Sequence, residues 1–393
     1  MKRLLLLFIT IWCIIVCGYC QTDWKNFMSK QDMIWTRLPQ TWYEAPFMGN
    51  GSMGTYICKE PNKNAIRVDV NNSMVHDHRT KDNGIYGRCR LLIGYFLLHP
   101  AGEIQSGNMR LDLWNAETTG CVRTTLGEIK LKAYVTSESP YIIVEAEATK
   151  GEKNFTWKFY PEKTDSPRQL NAIRIKSKNH FKKDYISNPA SQLYERNGLN
   201  FCWQPLLDGG GTATVWKEIR KDNKSILVIS NAHSFPETDA LQKAETALVS
   251  LQEIDLLSLQ KTHRDWWHNY YPLSFVSLPD KKIENFYWAQ MYKLASATRI
   301  GGGLLDNSGP WQVLTPWPNA WWNLNVQLSY WPVYAANRLE LGMPLGEFYQ
   351  FNLSSCIRQQ NSLTAQFVSF SLANLANIFY PPPIFTIINL CLL

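Results

Sequence analysis

From about residue 22 to residue 235, apolar residues recur mostly at every second position, the spacing of strands with one buried face. Ile129, Leu131, Ala133 and Val135 alternate with Lys130, Lys132 and Tyr134; Phe155, Trp157 and Phe159 alternate with Thr156 and Lys158. Leu199, Phe201 and Trp203 repeat the pattern, and Ser225–Ser230 is a continuous run of the buried-strand type. Turn residues separate these segments: Gly127, Gly151, Gly198 and the Gly209-Gly210-Gly211 triplet. Short alternating runs divided by glycines predict an antiparallel sandwich, and more than 200 residues of them predict a double-width one, a β-supersandwich.

The period then changes. Residues 239–268 place Leu241, Ala244, Leu248 and Leu251 at helical spacing. A second helix is predicted over 281–298, with Ile283, Phe286, Tyr287, Met291, Leu294 and Ala295 on its buried face; Pro279-Asp280 marks its start and Gly301-Gly302-Gly303 its end. A third is predicted from Asn325 to Arg338, with Pro332 either kinking it or marking its true start. Strands followed by helices imply two domains of different class. The expected division is a leader (1–20), a β-supersandwich (21–238), a helical linker (239–280), a helical domain (281–358) and a tail (359–393).

Composition narrows the function. The chain has 393 residues, 45% apolar and 19% charged, so disorder is excluded. Its 16 Trp and 18 Tyr call for a core or a ligand groove that uses aromatic planes. The net charge of +7 (40 basic, 33 acidic) comes without any run of five Lys/Arg, which argues against nucleic-acid binding.

Lys2-Arg3 precede an apolar run from Leu4 to Val16 and small residues near Gly18, the order of a cleavable secretory leader, too short to span a membrane. Export to the periplasm or the exterior is the expectation, with a lipid anchor at Cys20 the lesser alternative and no membrane span in the mature chain. Cleavage before Gln21 leaves six cysteines, at 58, 89, 121, 202, 356 and 391, spread too widely for a disulfide framework or a zinc site; they are either buried thiols or one or two bridges. From Gln359 to Leu393 there is no Asp, Glu, Lys or Arg, a shift in composition that suggests a truncated or frame-shifted end, with a short membrane-associating tail as the lesser alternative.

Two segments carry candidate chemistry. In Trp42-Tyr43-Glu44-Ala45-Pro46-Phe47-Met48-Gly49-Asn50-Gly51-Ser52-Met53-Gly54-Thr55 the glycines permit positive φ and close backbone approach. No Lys-Ser/Thr follows, so a phosphate loop is poorly supported, and the alternative is a hairpin turn packed against the neighbouring domain. The second segment runs from Trp317 to Pro332. Trp311, Trp317, Trp321, Trp322 and Trp331 lie here beside Asn323, Asn325 and Gln327. Indole faces stack on the C–H faces of sugar rings, and amides both donate to and accept from ring hydroxyls. The segment is either a carbohydrate site or a Trp-rich core with buried amides. Asn323 and Asn325, two apart, could converge on one ligand only from a loop or the first turn before a helix.

His76-Asp77-His78-Arg79 offers a metal site lacking a third ligand, a contribution to a sugar pocket by His76 and Asp77, or a plain turn. No metal or cofactor is expected, and no Gly-x-Ser-x-Gly element supports a serine nucleophile.

The two segments, their order and their separation resemble glycoside hydrolase family 95, the inverting α-L-fucosidase and α-L-galactosidase family. The residues that carry the resemblance are Pro46 to Gly54, Asn323-Leu324-Asn325, Tyr330-Trp331-Pro332, and Thr262 to Trp267 followed by Leu273–Leu278. It covers about residues 35–345. The resemblance implies a β-supersandwich followed by an (α/α)6 barrel. It also implies that Asn323 and Asn325 hold the attacking water with help from a later aspartate, while a later glutamate protonates the leaving oxygen. Trp321, Trp322, Trp331 and Gln327 would line the oligosaccharide. Ser329 departs from the Asn usual before Tyr-Trp-Pro, which leaves the sugar open. Twelve helices of about 11 residues with their loops need roughly 180–200 residues, so 281–358 is expected to hold only the beginning of the barrel. With Glu347 the last glutamate and Asp306 the last aspartate, the expected acid and its partner have no counterpart. The expectation is an exported glycoside hydrolase chain with little turnover of its own, with a non-catalytic carbohydrate-binding or surface protein, or an unstable remnant, as the alternatives.

Overall fold

The computed structural model describes residues 22–79, 84–249, 251, 255–311, 313–321 and 324–358. The leader and the uncharged tail lie outside the described residues. A nine-stranded antiparallel sheet has the spatial order β1 (Met33–Trp35), β6 (Ile104–Asp112), β7 (Glu117–Thr124), β8 (Glu128–Val135), β9 (Tyr141–Ala148), β14 (Lys224–Ser234), β13 (Gly211–Lys221), β12 (Leu199–Pro205), β11 (Gln192–Arg196). A five-stranded antiparallel sheet has the order β10 (Thr156–Pro161), β5 (Gly94–His99), β4 (Ile66–Asn72), β3 (Met53–Lys59), β2 (Phe47–Gly49). Ile57, Val68 and Phe96 of the smaller sheet share one core with Ile129, Leu131 and Leu227 of the larger. The N-terminal part is thus an antiparallel β-sandwich, and a helical region follows it.

The alternation in β8 works as its sequence predicts on one face: Ile129, Leu131, Ala133 and Val135 are buried in the inter-sheet core. On the other face Tyr134 is buried too, with His263 of the helix Asp255–Tyr270 against its ring at 5.1 Å; Ala240–Val249 lies across the outer surface of β13 and β14 and closes a second apolar core with Tyr141, Phe201 and Val228. Part of the segment expected to be a linker is therefore a packed layer of the sandwich.

The remaining long helices are Asp255–Tyr270, Lys281–Ala297, Leu324–Ala335 and Met343–Arg358. Helix 281–297 is capped by Asp280, whose Oδ1 accepts from the N–H of Lys282 at 2.9 Å and of Ile283 at 3.3 Å. Its buried stripe is Glu284, Trp288, Met291, Tyr292 and Ala295. Ile283 and Phe286, expected inside, are 56% and 65% exposed. The aromatic cluster of Trp24, Phe27 and Trp288 captures a different flank of the helix from the one its sequence marks. Helix 324–335 contains Pro332 and buries Val326, Tyr330 and Val333.

The first glycine segment is a docking surface. A Cβ on Gly49 would lie 2.4 Å from the Ser296 carbonyl oxygen, one on Gly51 (φ +88°) 2.6 Å from the Arg299 nitrogen, and one on Gly54 2.9 Å from Pro310. The Gly51 N–H donates to Ser296 O at 2.9 Å. Asn50 clasps the turn: its Oδ1 accepts from Met53 N at 2.8 Å, and its Nδ2 donates to Thr136 O at 2.9 Å. The packing alternative of the sequence is the one this backbone realises.

Polar bolts join the two regions. Arg264 makes a two-pronged ion pair with Glu117 at 2.7 and 2.8 Å. The Arg299 guanidinium lies 3.4 Å from the centre of the Trp266 ring, and burial lowers its pKa to about 9. His263, 1% exposed, sits between Ser137 Oγ at 3.0 Å and Ala116 O at 3.2 Å. Burial pushes the His263 pKa down to about 3, so the folded protein holds this ring neutral. The unfolded chain protonates it below the ordinary value of 6.5, so stability is intact above that pH and is lost as pH falls from 6.5 towards 3. His263→Gln is expected to flatten the acid limb of a stability–pH curve by up to about 1.4 kcal/mol per pH unit. Urea midpoints measured between pH 4 and 7 check this, and parallel curves for the two proteins would refute it.

Candidate functional site

A cavity of about 890 Å³ opens where the sandwich meets the helices. On the sandwich side it is lined by Trp35, Phe47, Tyr56 and the turn Trp42–Glu44; on the helical side by Asn285, Gln290 and Lys293, the 305–309 loop, Trp311 and Ser329. Packing and hydrogen bonds to backbone carbonyls fix the aromatic floor. Trp311 Nε1 donates to Met48 O at 2.8 Å, Trp35 Nε1 donates to Glu44 O at 2.5 Å, and Phe47 meets Trp311 edge to face with centroids 5.0 Å apart. Trp42 and Tyr43, 47% and 73% exposed, stand at the rim as a T-shaped pair.

The polar end belongs to the second segment. Asn325 is the second residue of helix 324–335, in its first turn as its spacing requires. Its Nδ2 donates to Oδ1 of Asn307, a cavity residue, at 3.2 Å, and Ser329 Oγ donates back to Asn325 O at 2.8 Å. Asn325, Asn307 and Ser329 thus form one polar edge. Asn323 and Trp322 lie outside the described residues.

Other expected site residues do not join this edge. Gln327 is exposed and two residues beyond Asn325, about 200° around the helix. Trp331 lies one turn after Gln327 on the same flank and is 49% exposed. Trp321 packs against Trp317, with centroids 4.3 Å apart, in the loop before the helix. Asp77 turns inward: fully buried, it pairs with Arg79 at 2.6 Å and accepts from Asn188 Nδ2 at 2.9 Å, so its carboxylate fastens the segment around 188 and has no face open to a ligand. His76 bridges to Arg90 across two extended segments, and its Nδ1 lies 3.2 Å from Met74 O. Burial, then the neighbouring Arg90 charge, lowers its pKa to about 4, so it is neutral near pH 7. Among the described residues no group of three His, Cys, Asp or Glu could hold a metal ion, and Cys58, Cys89, Cys121 and Cys202 are free thiols. No described helix is long and apolar enough to cross a membrane.

The loop that presents Asn307 is held by Arg90. Its Nη1 donates to Asp306 Oδ2 at 2.8 Å and also to Gly309 O; its backbone N–H donates to Pro318 O at 2.9 Å. Arg168 Nη1 adds a bond to Pro316 O at 2.6 Å.

Every carboxylate lining the cavity among the described residues faces a guanidinium. Asp306 pairs with Arg90, Asp32 with Arg110, and Glu44 with Arg37 at 2.6 Å. The Arg37 hydrogen bond holds Glu44 below its usual range. Burial pushes the Asp32 carboxyl up, against the pull of the Leu113 N–H and Arg110, yet its side chain is only 2% exposed. The arrangement can grip a polar, flat-faced molecule, and among the described residues it holds no carboxyl outside an ion pair. Sequence reasoning missed Asn307 and Asn285, whose signal was only an Asx-type turn in Asp306-Asn307-Ser308-Gly309 and a polar position on a helix.

No family model matches the chain, and no curated protein matches it. Among solved structures it is similar to a protein described as a kojibiose phosphorylase from the human microbiome (TM-score 0.46, 10% identity, 67% of this chain and 38% of that one). It is also similar to a bacterial glucoamylase complexed with acarbose (TM-score 0.40, 10% identity, 83% and 54%). A third is a family GH92 α-mannosidase of Bacteroides thetaiotaomicron (TM-score 0.26, 10% identity, 64% and 38%). The chain spans between about two fifths and just over half of the length of these structures.

Proposed function

We propose that this chain is an exported carbohydrate-recognising protein of the glycoside hydrolase type, and that the cavity between sandwich and helices takes a sugar of the α-L-fucose or α-L-galactose class. The observation that carries the reading is the aromatic cavity with Asn307 and Ser329 in its lining at one end and Asn325 hydrogen-bonded to both of them. Trp42 and Tyr43 offer ring faces at the rim for a neighbouring sugar unit. The oligosaccharide would enter along that rim.

Inverting hydrolysis needs an acid that protonates the leaving oxygen and a base that activates water from the opposite face, with the two carboxyls about 6.5–9.5 Å apart. Asn323 and Asn325 would hold the water. An amide is not a base, so an assisting carboxylate is chemically required. Asp32, Glu44 and Asp306 are all ion-paired, which favours the non-catalytic reading for the residues described. On p-nitrophenyl α-L-fucoside the purified protein is expected to release no nitrophenolate above the uncatalysed rate, while fucosylated oligosaccharides are retained on a glycan array. Robust turnover would overturn the assignment of these carboxylates.

A further inference from the structure

We propose a second saccharide-binding cleft, at the open edge of the sandwich, for a neutral oligosaccharide with flat gluco-configured rings. The inference is independent of the first cavity. Strand β10 ends the five-stranded sheet and β11 ends the nine-stranded one, and between these edges lies a cavity of about 480 Å³. Trp157 and Phe159 line it from one sheet, Trp216 from the other, and Leu193 and Tyr194 of β11 form its mouth, 53% and 38% exposed. One side of Trp216 is covered by Phe159, with centroids 4.9 Å apart.

The polar groups set the ligand class. No described residue hydrogen-bonds the Asn200 side-chain amide, which lines the cleft with both its donor and acceptor capacity unspent. Glu218 also lines it. Arg220 and Ser225 both bond its Oε1, at 2.8 and 2.5 Å, and leave Oε2 to accept from a hydroxyl. Arg220 matches the Glu218 charge with an ion pair of 2.7 Å, and Lys158, which also lines the cleft, lies over the Tyr160 ring, 5.2 Å from its centre. An all-equatorial pyranose carries C–H groups on both faces and hydroxyls around its edge. It fits indoles on two opposite walls with an amide and a carboxylate oxygen beside them. A lipid chain would leave the Asn200 amide and Glu218 Oε2 without partners.

Cellohexaose titrated into the full chain, followed by tryptophan fluorescence and calorimetry, tests this. Binding is expected, weakened roughly tenfold by Trp157→Ala and measurably by Asn200→Ala. Asn200 is only partly buried, so its variant keeps the test valid if Trp157→Ala fails to fold. Ser329→Trp, which fills the other cavity, should leave cellohexaose affinity unchanged. Three results would overturn the proposal: no binding, binding abolished by Ser329→Trp but not by Asn200→Ala, or displacement of cellohexaose by the apolar dye anilinonaphthalene sulfonate.

Discussion

Replacing Arg90 by leucine is expected to lower stability by about 3–5 kcal/mol, a fall in melting temperature of roughly 10 °C. Arg90 is among the largest fully buried side chains, and it neutralises Asp306 while donating to Gly309 O and, at 3.4 Å, to Pro310 O. Removing it strands a buried carboxylate and two carbonyls. The double variant Arg90→Leu/Asp306→Leu removes both charges and should recover a large part of the loss, because an absent ion pair costs less than half of one. Saccharide binding should fall in both variants, since Asn307 follows Asp306 directly and Arg90 fixes that loop. Differential scanning calorimetry with a sugar titration reads both effects; unchanged melting in Arg90→Leu would contradict the role.

Gly51→Ala is expected to cost about 2–5 kcal/mol, combining a strained left-handed backbone with overpacking against an immovable neighbour. The methyl would lie 2.6 Å from the Arg299 nitrogen and 2.8 Å from its Cβ, so the helix terminus must retreat from the turn. That retreat also stretches the Gly51 N–H to Ser296 O bond. Gly198→Ala is the control: its φ is +73° and nothing lies within 4 Å of a Cβ there, so only the backbone cost, about 1 kcal/mol, should appear. Denaturant midpoints compare the two. Equal losses would mean that conformational freedom, not docking, explains the glycine at 51.

Much of the sandwich was legible because period-two alternation records which side of a strand faces a core. Ile129 to Val135 shows both the success and its limit. Tyr134 gives no sign that a later helix will bury it, since the helix that does so lies more than 100 residues away. The same non-local covering turned helix 281–297 so that Phe286 faces out and Trp288 faces in. The Gly49–Gly54 turn was recognisable as a special backbone, but not what it receives; the partner atoms sit near residue 296.

The site was legible where chemistry and local geometry coincide. Asn325 falls in a first turn, as two amides at this spacing demand. Gln327 and Trp331 lie near it in sequence but not in space, because successive helix positions diverge by about 100°. His76 and Asp77 form a conspicuous polar run, yet the Arg79 and Asn188 partners that consume Asp77 are a fold-level fact. Asn307 carried no sequence signal beyond its turn.

The central claim, that the Asn307, Asn325 and Ser329 edge grips a sugar, is tested most directly by titrating 2′-fucosyllactose into the wild type, Asn325→Ala and Gln327→Ala by isothermal calorimetry. The account predicts that Asn325→Ala weakens binding by roughly tenfold, the worth of about one well-placed hydrogen bond, while Gln327→Ala binds as the wild type does. Loss with Gln327→Ala and none with Asn325→Ala would place the sugar on the opposite flank of the helix and contradict the account.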